Sequence, residues 1–229
     1  MIEPSTKLSK LATSVFSEFA ARKQEQLALG ANIIDLSIGS PDMPPPDFVR
    51  QVMAEEVAKG TEYGYTITAS TQFKEAVCHY YSRRYNIEIH EEEVLQLIGS
   101  QDGLSHLALA YLDAGDVLIS PNPGYPIYHA CADIAGAELY TVEMTEENQF
   151  MPDLLTIPDD IKKRAKLMIV NYPGNPTSAL ATKEYLAELI EFGLKHNIII
   201  VHDFAYSELI FDNVKPMSIF TIPDAKKIA

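Results

Sequence analysis

From residue 94 onward, short apolar runs alternate with stretches of helical spacing, and this alternation limits the possible folds more than any other feature of the chain. Val94–Ile98, Val117–Ser120, Glu138–Val142, Leu167–Asn171 and Ile198–His202 read as strands. Gly103–Leu112, Ile127–Ala135 and Lys183–His196 read as helices between them. Strand and helix in alternation predict an α/β fold with a mainly parallel sheet and helical crossovers. Ligands of such sheets bind at the carboxyl ends of the strands, and four of the five runs lead straight into a polar or Pro/Gly-rich loop there. Glu138–Val142 is the exception.

The N-terminal part reads differently. Over about residues 4–29, Leu8, Leu11, Val15, Phe16, Phe19 and Ala20 recur near helical spacing among charges, which predicts an amphipathic helical arm. The run from Asp35 to Asp42 reads as a short strand entering a loop, and Pro44-Pro45-Pro46 forbids regular pairing beyond it. A boundary near residue 45 follows. Phe48–Lys59 and Thr71–Arg84 read as helices separated by the Gly- and Tyr-rich loop Gly60–Tyr65.

At 229 residues the chain can bury a substantial core. A net charge of −14 with scattered acids leaves no basic stripe for phosphodiesters, so nucleic acid is not an expected partner. The first 36 residues carry charges throughout, without a continuous apolar segment, so the expectation is a cytoplasmic protein without membrane insertion. Cys78 and Cys131 have no paired spacing and are expected as reduced core thiols. No Walker, Gly-x-Ser-x-Gly or His-Glu-x-x-His motif occurs.

The loops at the strand ends carry the chemistry. Gly99-Ser100-Gln101-Asp102-Gly103 opens a helix, where unpaired amides and the Ser100 hydroxyl favour an anion, or where Ser100 or Asp102 simply caps the turn. Pro121-Asn122-Pro123-Gly124-Tyr125-Pro126 holds Tyr125 stiffly, as a stacking platform for a planar ring requires; a tyrosine packed on its own loop is the alternative. Asn171-Tyr172-Pro173-Gly174-Asn175-Pro176-Thr177 is the sharpest element: two prolines and a glycine fix an irregular backbone that presents the Asn175 amide, and Asn175-Pro176 is a candidate cis bond. Asp203 ends an apolar strand and needs a cationic or hydrogen-bonding partner, such as a protonated ring nitrogen; Tyr206 follows it, and His202 reads as a satisfied core histidine.

Taken together, these motifs resemble the fold-type I pyridoxal-phosphate enzymes, specifically the class I/II aminotransferases of the aspartate and LL-diaminopimelate type. The resemblance covers nearly the whole chain. It implies a large domain whose sheet carries helices on both faces, with residues 1–45 as an arm and part of a small domain and 46–229 as an incomplete cofactor domain. It implies pyridoxal phosphate as cofactor, an amino acid and a 2-oxo acid as substrates, and a homodimer. By resemblance, Ser100 and Gln101 bind the phosphate, Tyr125 stacks on the pyridine, Asn175 and Tyr206 bond its 3′ oxygen, and Asp203 pairs with the ring nitrogen. Gly39 would lie by the substrate carboxylate, and Tyr65 would reach the partner subunit's phosphate.

Some positions depart from the family pattern. Ser70 stands where Gly is usual, Phe73-Lys74 where Leu-Arg is usual, and Phe204 where an acidic residue is common. The family's Ser-x-Ser-Lys run, whose lysine forms the Schiff base, does not occur in these residues, and Lys226 and Lys227 do not match it. The expectation is therefore an N-terminal portion of an aminotransferase, inactive alone, with apolar sheet edges exposed and a C-terminal fragment as a possible partner. A carbon–sulfur lyase acting by β-elimination and a non-catalytic cofactor-binding module are the alternatives.

Overall fold

The computed structural model describes residues 2–11, 15–61, 63–215 and 217–229. They form two compact units, one drawn from residues 1–11 and 68–229, the other from 12–67. The arm is two helices rather than one: α1 (Thr6–Lys10), in the first unit, and α2 (Val15–Ala28), in the second. Residues 12–14 of the expected helix, and the side chain of Val15, lie outside the described residues. Ser5 caps α1 by accepting from the Lys7 amide, and Lys7 Nζ donates to the Ile134 carbonyl at 3.0 Å.

The second unit also holds α3 (Asp47–Ala58). The strand expected at residues 35–42 is absent, because the Asp35 side chain captures the backbone instead. Its Oδ1 accepts from both the amide and the hydroxyl of Ser37, and Oδ2 accepts from Lys23 Nζ at 2.6 Å. An Asx turn of this kind competes with pairing. Lys23, then Ser37, hold the Asp35 pKa well below the usual carboxylate range. None of the residues of α3 is buried within the structure, although Phe48, Val52, Met53 and Val57 are large and apolar.

The first unit continues with α4 (Thr71–Tyr85), whose cap explains one departure: Ser70 Oγ accepts from the Phe73 amide at 3.2 Å. Then come α5 (Ser100–Tyr111), β1 (Val117–Asn122), α6 (Pro126–Ala135), β2 (Glu138–Glu143), α7 (Asp159–Arg164), β3 (Ala165–Asn171), α8 (Lys183–His196) and β4 (Ile199–Asp203). Val94–Ile98 is not a strand. Leu95 is 80% and Ile98 96% exposed, and no neighbouring backbone pairs with them among the described residues. Extended propensity alone does not make a strand without a partner to bond.

The four strands pair in parallel in the order β2-β1-β3-β4. β3 is buried at all but one position, as an inner strand covered on both faces should be. Val117, Ile119, Met168, Val170 and Ile200 pack on one face with Leu186, Leu189 and Ile190 of α8. Leu118, Leu167 and Ile169 face the other way, onto Leu104 and Ala108 of α5 and Tyr128 and Cys131 of α6. Helices thus cover both faces. Cys131 is a buried free thiol, whereas Cys78 is only half-buried, short of the core position expected for it. Among the described residues no helix is long and apolar enough to cross a membrane.

Candidate functional site

Strand order decides where a site can form. From β1 the chain passes through α6 to β2 on one side, whereas β3 and β4 lie on the other side of β1, so the lateral direction reverses between β1 and β3. Loops leaving the strands at such a reversal diverge and open a crevice at the carboxyl ends. A cavity of about 100 Å³ lies there, lined by Ser100, Gln101, Leu104, Tyr125, Ile127, Tyr128, Asn171, Asp203, Ala205 and Tyr206.

Register places the central pair. Asn171 and Asp203 are opposite residues at the tips of β3 and β4, and Asn171 Nδ2 donates to the Asp203 carbonyl at 2.9 Å. Asn171 Oδ1 accepts from the Asn175 amide at 2.7 Å, which folds the proline-rich loop back over the strand end. Asn175 Nδ2 then donates to the Tyr206 hydroxyl at 3.0 Å. Because that hydroxyl accepts from Asn175, its own proton is free to donate elsewhere. The Asn175-Pro176 bond is cis, and so are Tyr172-Pro173 and Asn122-Pro123.

The carboxylate of Asp203 is held at both oxygens. Oδ2 accepts from the Tyr128 hydroxyl at 2.8 Å, and Oδ1 from the Ala205 amide at 3.2 Å. Burial, and then the charge of Asp203, push the Tyr128 pKa far up, so this phenol stays protonated and acts as the donor. His202 points away: its Nε2 lies 2.8 Å from the Tyr172 carbonyl, and burial pushes its pKa down to about 4. It is a neutral, hydrogen-bonded histidine, as its strand position suggested.

On the opposite rim, α5 begins at Ser100, a turn earlier than its apolar spacing indicated. Its N-cap is Gly99, with φ of 83° and no side-chain cap, so the first-turn amides at Ser100 and Gln101 are left for another acceptor. Neither Ser100 nor Asp102 caps the helix; Asp102 Oδ2 instead accepts from the Ile98 amide at 3.2 Å. Gln101 Nε2 donates to the Tyr125 hydroxyl at 3.3 Å. Tyr125 is the N-cap of α6, and its ring lies 6.2 Å from that of Tyr128.

Five predicted residues therefore line one cavity: Ser100, Gln101, Tyr125, Asp203 and Tyr206. Asn175 joins them through its bond to Tyr206. Gly39 and Tyr65 belong to the second unit, where Tyr65 is 95% exposed. Lys226 forms an ion pair with Glu93 at 2.7 Å and Lys227 with Asp224 at 2.7 Å. Sequence reasoning missed Tyr128 and gave Asn171 no role beyond its motif. The signal for Tyr128 was its place three residues after Tyr125, one turn along a helix opened by Pro126.

The family model described as aminotransferase class I and II matches residues 31–228. The chain belongs to this family. The LL-diaminopimelate aminotransferase of Aquifex aeolicus is 39% identical across the whole chain and 60% of its own length. Among solved structures, the apo form of BacF from Bacillus subtilis superposes with a TM-score of 0.94 at 35% identity, over all of this chain and 58% of that one. A probable N-succinyldiaminopimelate aminotransferase from Thermus thermophilus gives 0.86 at 34%, over 94% of this chain and 58% of that one. The chain thus spans about three fifths of the length of the curated relatives it matches.

Class I and II aminotransferases use pyridoxal phosphate, and the donor set here is complementary to that group. An ionised Asp203 can only accept, which suits a protonated pyridine nitrogen. The free Tyr206 proton and the Asn175 amide suit a ring oxygen, the first turn of α5 suits a phosphate, and Tyr125 offers a flat face.

Proposed function

We propose that these residues form the cofactor-holding part of a cytoplasmic, homodimeric aminotransferase that moves an amino group between an amino acid and a 2-oxo acid. The observation that carries this reading is the convergence of an acceptor at Asp203 with donors at Tyr206 and α5 around one cavity at the strand reversal. The bound cofactor supplies a ring that takes up the electron pair left at the substrate Cα when its proton is removed. Asp203 would keep a proton at the ring nitrogen, which would make the ring electron-poor. Tyr125 would cover one ring face, Asn175 and Tyr206 would donate to the 3′ oxygen, and Ser100, Gln101 and the helix amides would hold the phosphate. Gly39 would meet the substrate carboxylate, and Tyr65 the partner subunit's phosphate. In domain terms, residues 1–45 would be arm and small domain and 46–229 cofactor domain.

These 229 residues contain no Ser-x-Ser-Lys run, so we propose that they bind cofactor without completing transamination alone. The names of the curated relatives make LL-diaminopimelate the first amino donor to assay in a chain that carries the lysine. The direct test on this chain is calorimetric titration with pyridoxamine phosphate, which needs no lysine. Saturable binding at one site is expected, weakened at least about tenfold by Asp203→Ala through loss of a charge-assisted hydrogen bond. Binding indifferent to Asp203→Ala contradicts the assignment.

A further inference from the structure

We propose that Tyr128 is a positioning residue for Asp203: its hydroxyl fixes the carboxylate so that the remaining acceptor sites face the cavity and the ring nitrogen held there. This rests on the cofactor reading given above and deepens it.

The geometry has three parts. Tyr128 is fully buried, its ring packed in the core between α5, α6 and the sheet, so its hydroxyl cannot swing away from the strand tip. That hydroxyl meets Oδ2 of Asp203 at 2.8 Å, while Ala205 supplies the amide at Oδ1 and Asn171 anchors the carbonyl of the same residue. Three separate segments therefore clamp one aspartate at the end of β4. Each carboxylate oxygen offers two acceptor directions, and with one taken on each, the carboxylate plane is set and the other directions stay available.

Position along the chain adds a second consequence. Tyr125 and Tyr128 sit one turn apart at the start of α6, so the same helix start sets both the platform beside the ring and the direction of the group at its nitrogen. A hydrogen bond to the ring nitrogen weakens steeply as its angle opens, so a loosened carboxylate would bind the same cofactor less well even with its charge intact. Tyr128→Phe removes the hydroxyl and keeps the buried ring.

The test is calorimetric, with two ligands: pyridoxamine phosphate and its analogue with carbon in place of the ring nitrogen. The proteins are the unmodified chain, Tyr128→Phe, Asp203→Ala and the double variant, with melting temperatures recorded for each. Tyr128→Phe should weaken pyridoxamine phosphate about tenfold. It should leave the analogue's affinity nearly unchanged, and add little to the loss already caused by Asp203→Ala. Equal weakening of both ligands, full additivity with Asp203→Ala, or unchanged affinity in Tyr128→Phe would each overturn the positioning role while leaving the proposed function standing. A chain that binds neither ligand before any substitution overturns the proposed function itself, and this inference with it.

Discussion

His202 and Asp203 are neighbours on β4 with opposite electrostatic tasks, and the difference has a measurable consequence. His202 gives its Nε2 proton to the Tyr172 carbonyl and, with a folded pKa of about 4 against an ordinary 6.5, resists a second proton. The unfolded chain gains that proton as pH falls through 6.5, whereas the folded chain does not until about 4. The contribution to stability is therefore whole above pH 6.5 and declines as pH drops towards 4, by at most about 1.4 kcal/mol per pH unit. Denaturant unfolding of the unmodified chain and His202→Gln should accordingly give stability curves that converge as pH is lowered through this window. Parallel curves would mean that the ring is protonated in the fold. Glu208 titrates in the same sense but in a more acid window: Arg84, at 2.9 and 3.0 Å, and then Tyr80 hold its pKa down to about 2, so its ion pair persists until strongly acid pH. That pair is solvent-exposed and adds little stability.

The loop from β1 into α6 shows how an element sets a site through one small residue. A Cβ on Gly124 would stand 2.5 Å from the Pro121 carbonyl oxygen and 3.3 Å from the Tyr128 ring, and the backbone oxygen cannot give way cheaply. Gly124→Ala should therefore cost about 1–3 kcal/mol and shift both Tyr125 and Tyr128, weakening pyridoxamine phosphate binding as well. Gly64→Ala, where nothing lies within 4 Å, serves as the control and should change neither melting temperature nor affinity. Elements with a complete local signal were legible from sequence. Helix α8 matches its expected bounds, Lys183–His196, because a Thr182 cap, a periodic apolar face and Asn197 in the left-handed region all agree. Helix α7 went unread because six residues are too short for periodicity, although Asp159 and Asp160 at its start and Lys162, Lys163 and Arg164 at its end mark it by charge. Val94–Ile98 failed for the converse reason: its composition is that of a strand, but pairing depends on a distant neighbour that composition does not reveal. Tyr128 and Asp203 are likewise joined across 75 positions by register and helix packing alone.

At the scale of the molecule, the first unit is a four-stranded parallel sheet with helices on both faces, and its strand reversal gathers residues from four separate stretches into one cavity. That order was readable in outline, since three of the four motifs follow β1, β3 and β4 and parallel strands end on one side; the first motif opens α5 without a strand before it. Phe48, Val52, Met53 and Val57 of α3 are exposed, and so are Leu95, Leu97 and Ile98 before α5. One contact underlies the proposed function, that between Asp203 and the nitrogen of a bound pyridine ring. It is tested most directly by heteronuclear NMR of pyridoxamine phosphate carrying an isotope-labelled ring nitrogen, at a pH where the free ligand's nitrogen has lost its proton. Binding to this chain should return the nitrogen signal to its protonated position, and Asp203→Ala should abolish the change. A bound ligand whose nitrogen stays deprotonated, or is protonated equally in both proteins, would contradict it.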